Sequence, residues 1–150
     1  MKPKYNLPCN IAQSLNIIGD RWTLLIIHEI LTGRTTFNEI KKALNGISAN
    51  LLSERLKLLE AEGLVTAKLY TNHPPRYQYM LTKSGEDLEH VFHSFIIWGT
   101  KHLDECYKKL VDSSTGDEVE VVYRSKRTGK IVHDIEAVSI ENEPVQPLNT

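Results

Sequence analysis

Residues 36–62, TFNEIKKALNGISANLLSERLKLLEAE, decide how this chain is read. Thr36 and Glu39 have the spacing of a capping box, a hydroxyl at the helix cap and a carboxylate three residues later. They precede a short helix carrying Ile40, Ala43 and Leu44. Asn45-Gly46 forces a turn, and Ser48 is placed to cap a second helix from Ala49 to Glu62, which Gly63 ends. On a wheel with Leu51 at zero and about 100° per residue, Leu52, Leu56 and Leu59 fall between about 80° and 140°. Asn50, Ser53, Glu54 and Lys57 fall between about 200° and 300°. One face docks on a core and the opposite face is polar, the two demands made of a helix that reads a DNA major groove. Asn50 suits an adenine edge, Ser53 a base or phosphate, Lys57 a phosphate or guanine, and Glu54 can accept from cytosine. A merely solvated surface helix carries the same face, so this pattern alone leaves both readings open.

Upstream, Ile11, Leu15 and Ile18 recur at helical spacing over residues 9–18, and Gly19 stops them. Asp20 is a good cap for a helix from Arg21 to Leu31 that is apolar almost all round and therefore central to the core, with Gly33 closing it. Downstream, Leu64 to Tyr70 and Arg76 to Thr82 alternate and are rich in β-branched and aromatic residues, which predicts an antiparallel hairpin. Its tip, Thr71-Asn72-His73-Pro74-Pro75-Arg76, is stiffened by proline. Asn72 and Arg76 there suit a minor groove or its phosphates, although an ordinary turn has the same composition. Arg34, Thr35 and Thr36 open the first helix of the pair, where free amides and the helix dipole attract a phosphate oxygen. The order predicts a mainly α fold with a small β-hairpin wing (α+β), a winged helix-turn-helix.

A long amphipathic helix is expected from Thr82 or Lys83 to about Leu110. Its Leu88, Val91, Phe92, Phe95, Ile96, Trp98, His102 and Leu103 are more apolar surface than a terminal helix needs alone, so a partner helix is expected. Residues 112–117 form a polar linker, Glu118 to Tyr123 and Lys130 to Ile135 give a second hairpin signal, and a proline-containing acidic tail follows. The chain thus divides into a domain over 1–111 and an acidic extension over 112–150, and no internal repeat stands out.

With 150 residues, 41% hydrophobic and 25% charged, the composition excludes collagenous, disordered and membrane-spanning classes. The net charge of −1 argues against bulk attraction to nucleic acid, but it is unevenly spread. Residues 1–111 carry 14 basic and 11 acidic side chains, whereas 112–150 carry 4 and 8. Between Arg34 and Arg76 there are 7 basic and 4 acidic residues. The N-terminus has no apolar stretch of secretory type, and no run is long enough to span a bilayer, so a cytoplasmic protein without a membrane partner is expected. Cys9 and Cys106 are too few for a disulfide framework. His90 with His93, and His102 with Cys106, have metal-compatible spacing, but the two pairs lie on different sides of one helix and fit amphipathic filler. There is no phosphate loop, nucleophile motif or carboxylate pair, so neither an enzyme nor a cofactor is expected. A winged helix that binds protein instead of DNA is the competing reading.

Several linked stretches resemble the HxlR family of bacterial winged helix-turn-helix regulators, within the MarR-like superfamily. They are Cys9-Asn10-Ile11-Ala12, Ile18-Gly19-Asp20-Arg21-Trp22-Thr23-Leu24-Leu25-Ile26, Arg34-Thr35-Thr36-Phe37-Asn38-Glu39-Ile40, Gly46 to Leu56, and Pro74-Pro75-Arg76-Tyr77-Gln78-Tyr79-Met80-Leu81-Thr82. The resemblance spans about residues 9–103 and does not cover 112–150. It implies a transcriptional regulator binding a palindromic operator in double-stranded DNA as a homodimer. That dimer would be joined through the first and last helices, at Ile11, Leu15, Phe92, Phe95, Ile96, Trp98 and Leu103. Position by position, the implied DNA contacts are Thr36, Ser48, Asn50, Ser53, Lys57, Asn72 and Arg76. Arg55 is left between a phosphate contact and a structural ion pair. Cys9 matches the place where family members carry an oxidant- or electrophile-sensing thiol, just before a helix N-terminus where thiols become reactive; a buried structural thiol is the other reading. Cys106, near the end of the long helix, is assigned no role, and the sequence names no small-molecule effector.

Overall fold

The computed structural model describes residues 4–140. They form two compact units, one ending at Lys108 and the other beginning at Lys109.

The first unit runs α1 (Asn10–Ile18), α2 (Thr23–Leu31), α3 (Phe37–Ala43), α4 (Ala49–Ala61), β1 (Val65–Asn72), β2 (Pro75–Leu81), α5 (Lys83–Glu86) and α6 (Glu89–His102). Its core is one cluster in which Ile26 and Ile27 of α2, Ile40 of α3 and Leu52, Leu56 and Leu59 of α4 are essentially inaccessible. The wheel drawn for α4 therefore matches its burial. The strands pair antiparallel from Val65 opposite Leu81 to Asn72 opposite Pro75, with an irregularity between Leu69 and Thr71. Pairing reaches further than alternation predicts, so the tip shrinks to His73-Pro74, joined by a cis peptide bond. Pro75 begins its strand, a position where the missing amide costs no ladder bond.

Three expectations are corrected. The second helix begins at Thr23, after a turn over Arg21 and Trp22. Its cap residue is Trp22, so Asp20 lies ahead of the cap position, its carboxylate accepting from the Trp22 amide at 2.9 Å, the Thr23 amide at 3.2 Å and the Thr23 hydroxyl. The long helix is divided by Asp87 and Leu88 and stops at His102, where Leu103 takes an extended conformation. The chain folds back there: the Cys106 thiol lies 3.5 Å from the Gly99 and Thr100 carbonyls, and Thr100 Oγ1 is 3.2 Å from the Lys108 carbonyl. Cys106 is thus off the helix, its thiol set against the last turn, where the Gly99 carbonyl also accepts from the Leu103 amide at 3.0 Å. Phe92, expected on a dimer surface, is 8% exposed and packs in the core, its ring 5.3 Å from that of His28.

The second unit contains β3 (Tyr123–Arg124) and β4 (Ile131–Val132), far shorter than the predicted strands. It also contains a repeat that the sequence hides. The turns 112–117 and 125–130 share one hydrogen-bond plan: Gly116 N to Asp112 O and Gly129 N to Ser125 O, both 2.8 Å. Asp112 N to Asp117 O at 2.8 Å and Ser125 N to Lys130 O at 2.9 Å close them. Each needs glycine at positive φ, 78° at Gly116 and 70° at Gly129. Among the described residues no helix is long and apolar enough to cross a membrane.

Arg55, on the inner flank of α4, forms an ion pair with Asp20, its Nε 3.4 Å from Oδ1, so of the two readings the structure shows the ion pair. Burial alone disfavours the Asp20 charge. The Thr23 hydroxyl, the Trp22 amide, the Arg55 guanidinium and the Thr23 amide outweigh it and hold the carboxyl below its ordinary 3.8. A carboxyl depressed in the folded state contributes stability above its unfolded pKa and loses it as pH falls through the folded value. Asp20→Ala therefore leaves buried donors unpaired and costs about 1–3 kcal/mol at pH 7. Urea unfolding at pH 7 and pH 3 checks this: the gap to wild type narrows below the ordinary value of 3.8.

Candidate nucleic-acid interface

The first helix of the pair starts with the predicted capping box, which changes what its amides can do. Glu39 Oε2 accepts from the Thr36 amide at 3.0 Å, the Thr35 amide at 3.1 Å and the Thr36 hydroxyl at 2.9 Å, while Thr36 Oγ1 accepts from the Glu39 amide. The Thr36 amide, then its hydroxyl and the Thr35 amide, hold the Glu39 carboxyl below the usual range. The amides expected to receive a phosphate oxygen thus already face a carboxylate, and the Thr36 hydroxyl is engaged in the cap. Arg34 is the cation at this corner. One of its terminal nitrogens lies 2.7 Å from Glu29 Oε2, which ties it to the end of α2 while the side chain stays about half exposed.

Ser48 caps α4, its oxygen accepting from the Leu51 amide at 3.1 Å and leaving its hydroxyl proton free to donate outward. From that fixed start, burial of Leu52, Leu56 and Leu59 turns Asn50, Glu54 and Lys57 to solvent and leaves Ser53 half-buried. The Asn50, Ser53 and Lys57 side chains have no hydrogen-bond or ion-pair partner among the described residues. Three polar side chains on one face, unspent within the fold, give α4 donors and acceptors at a spacing of about one helical turn.

The hairpin is pinned to the same corner. Tyr79 N donates to Thr35 O at 2.7 Å, Gln78 Nε2 reaches Thr35 Oγ1 at 3.1 Å, and Thr36 bridges Gln78. This fixes the direction in which the hairpin projects, with Asn72 and Arg76 exposed beside its tip. Between α3 and the hairpin lies an open groove of about 320 Å³ lined by Phe37, Asn38, Tyr70, Arg76, Tyr77 and Tyr79 among others. The residue pattern does not announce this groove, because tyrosines at these positions suit a strand equally well. The signal was available in the density of tyrosines flanking Arg76.

Cys9 stands at the cap of α1 in extended conformation, exposed, with no capping hydrogen bond from its side chain. It is therefore not a buried structural thiol. Ile11 and Leu15 of α1, Phe95 and Trp98 of α6, and Leu103 are exposed, and Ile96 is half-buried. His90 and His93 face each other at 6.4 Å between ring centres, and among the described residues no group of three or more His, Cys, Asp or Glu is placed to hold a metal ion.

Comparison with known proteins agrees with this geometry. Residues 17–107 match the family model of the HxlR-like helix-turn-helix. The chain is 32% identical over 111 residues to YdeP, an uncharacterized HTH-type transcriptional regulator of Bacillus subtilis (strain 168), a match covering 74% of this chain and 87% of YdeP. Among solved structures it is similar to PA1607, assigned as a transcription factor, with a TM-score of 0.70 and 27% identity over 95% of this chain and 96% of that one. PA1374 of Pseudomonas aeruginosa, assigned likewise, gives 0.65 and 32% over 90% and 96%. These two likenesses reach into the C-terminal unit, which the family model leaves out. The reduced form of the redox regulator HypR gives 0.59 and 29% over 64% of this chain and 95% of HypR. The chain belongs to the HxlR-like helix-turn-helix family of transcriptional regulators.

Proposed function

We propose that this transcriptional regulator binds double-stranded DNA as a homodimer, each copy laying α4 in the major groove of one half of an inverted-repeat operator. The observation that carries the proposal is the outer face of α4, where Asn50, Ser53 and Lys57 stand without partners among the described residues above three fully buried leucines. Asn50 and Ser53 take base edges, while Ser48, Lys57 and Arg34 take phosphates. Thr36 keeps α3 in place through its cap. The hairpin sets Asn72 and Arg76 against the flanking backbone or minor groove. The second copy is supported by Ile11, Phe95 and Trp98, large apolar side chains exposed by 72%, 59% and 57%, which a protein interface would cover. Two-fold symmetry in the protein then asks for two-fold symmetry in the operator. Its transcriptional-regulator relatives, and the absence of a catalytic motif from the sequence, favour regulation over enzymatic activity.

Gel mobility with an operator fragment tests the DNA reading. Asn50→Ala and Ser53→Ala each weaken operator binding by about 1–3 kcal/mol and leave non-specific binding unchanged, whereas Lys57→Ala and Arg76→Ala weaken binding on all sequences. The absence of any salt-sensitive shift from the wild-type protein would contradict it.

Cys9 fits an oxidant or electrophile sensor, being an exposed thiol at a helix start in a chain similar to a redox regulator. Operator affinity measured before and after diamide shows a change in the wild type and none in Cys9→Ser. An unchanged affinity despite chemical modification of Cys9 would retire the sensor.

A further inference from the structure

We propose that the C-terminal unit pairs with the C-terminal unit of a second copy of this chain, the acidic turn of each meeting the basic turn of the other. The inference rests on the homodimer proposed above and adds a second surface to it. Among residues 109–140 none is buried, and only Leu110, Ser125 and Val132 are even half-buried. Val121, Tyr123, Ile131, Ile135, Val138 and Ile140 are each more than half exposed. A hairpin whose ladder is two residue pairs is marginal in water, and so small a unit is usually stabilised by a disulfide, a metal or association with further protein surface. Both cysteines lie in the other unit, and no metal-binding cluster is found among the described residues.

The charges say which chain. The two turns share one backbone plan but carry opposite charge. Asp112 and Asp117, with Glu120 just beyond, mark the first; Lys126, Arg127 and Lys130 mark the second. Glu118 is taken by Lys109 at 2.9 Å, whereas Asp117, Lys126, Arg127 and Lys130 have no ion-pair partner among the described residues. A two-fold interface places one patch against its own copy, so complementarity requires both signs on the same subunit. DNA would answer only the basic turn and would leave the valines and isoleucines wet.

Sedimentation of the full-length chain at low salt tests the pairing. One variant, Lys126→Glu with Arg127→Glu, makes both turns acidic; another, Asp117→Lys with Glu120→Lys, makes both basic. Each alone raises the dimer Kd roughly tenfold, and an equimolar mixture restores wild-type association, because the two variants are complementary to each other. Rescue on mixing also separates lost pairing from misfolding. Variants that dimerise as wild type does, or losses that mixing does not repair, overturn the inference while leaving the helix-mediated dimer standing. A wild-type chain that stays monomeric overturns both. Loss of operator affinity in the acidic variant with unchanged dimerisation assigns the basic turn to DNA and also overturns it.

Discussion

Leu52, Leu56 and Leu59 are removed from water against Ile26, Ile27 and Ile40, and the geometry of the proposed DNA interface follows from that burial. Each leucine contributes about 1.5–3 kcal/mol relative to exposure, enough that α4 has one rotational setting about its axis. A helix rotates about 100° per residue, so fixing the leucines also fixes where Asn50, Ser53 and Lys57 point. Ser48 anchors the start of the helix, and Arg55 ties its middle to the α1–α2 corner through Asp20. Base recognition needs side chains held to within a fraction of an ångström, and this helix is held at its core face, its cap and its flank.

The parts of this arrangement that depend on neighbours in the chain were legible in the sequence. A threonine three residues before a glutamate, a serine before an alanine, and leucines at helical spacing each specify their structure locally. What was not legible depends on distant partners. Residue types do not reveal that the Thr35 carbonyl receives the Tyr79 amide and so pins the hairpin to the start of α3. Nor do they show that Asp20 and Arg55, far apart in sequence, share an ion pair. Phe92 fits the same apolar period as Phe95, yet only the packed structure shows that Phe92 turns inward beside His28 while Phe95 stays outside. The break after His102 is hidden because apolar spacing continues through Leu103, whereas in the structure Leu103 turns extended and its amide closes the helix on the Gly99 carbonyl. The repeated turns share only Thr-Gly, because a turn constrains backbone conformation and a glycine more than side-chain identity.

The near-neutral net charge conceals a division of labour. The winged helix carries the basic excess, modest enough that affinity for arbitrary DNA is expected to be weak and, in the proposed dimer, specificity to rest on the geometry of the paired α4 helices. The acidic excess lies in 112–150, beyond the family match but within the reach of the likenesses to PA1607 and PA1374.

The central claim is that two copies of α4 read one symmetric site, and the most direct measurement is hydroxyl-radical footprinting on an operator recovered by selection from random DNA. The account predicts an inverted repeat with half-site centres about 34–36 Å apart, one turn of the duplex or a multiple of it, protected equally on both halves. A single protected patch without dyad symmetry, or a selection that enriches no sequence, would contradict it.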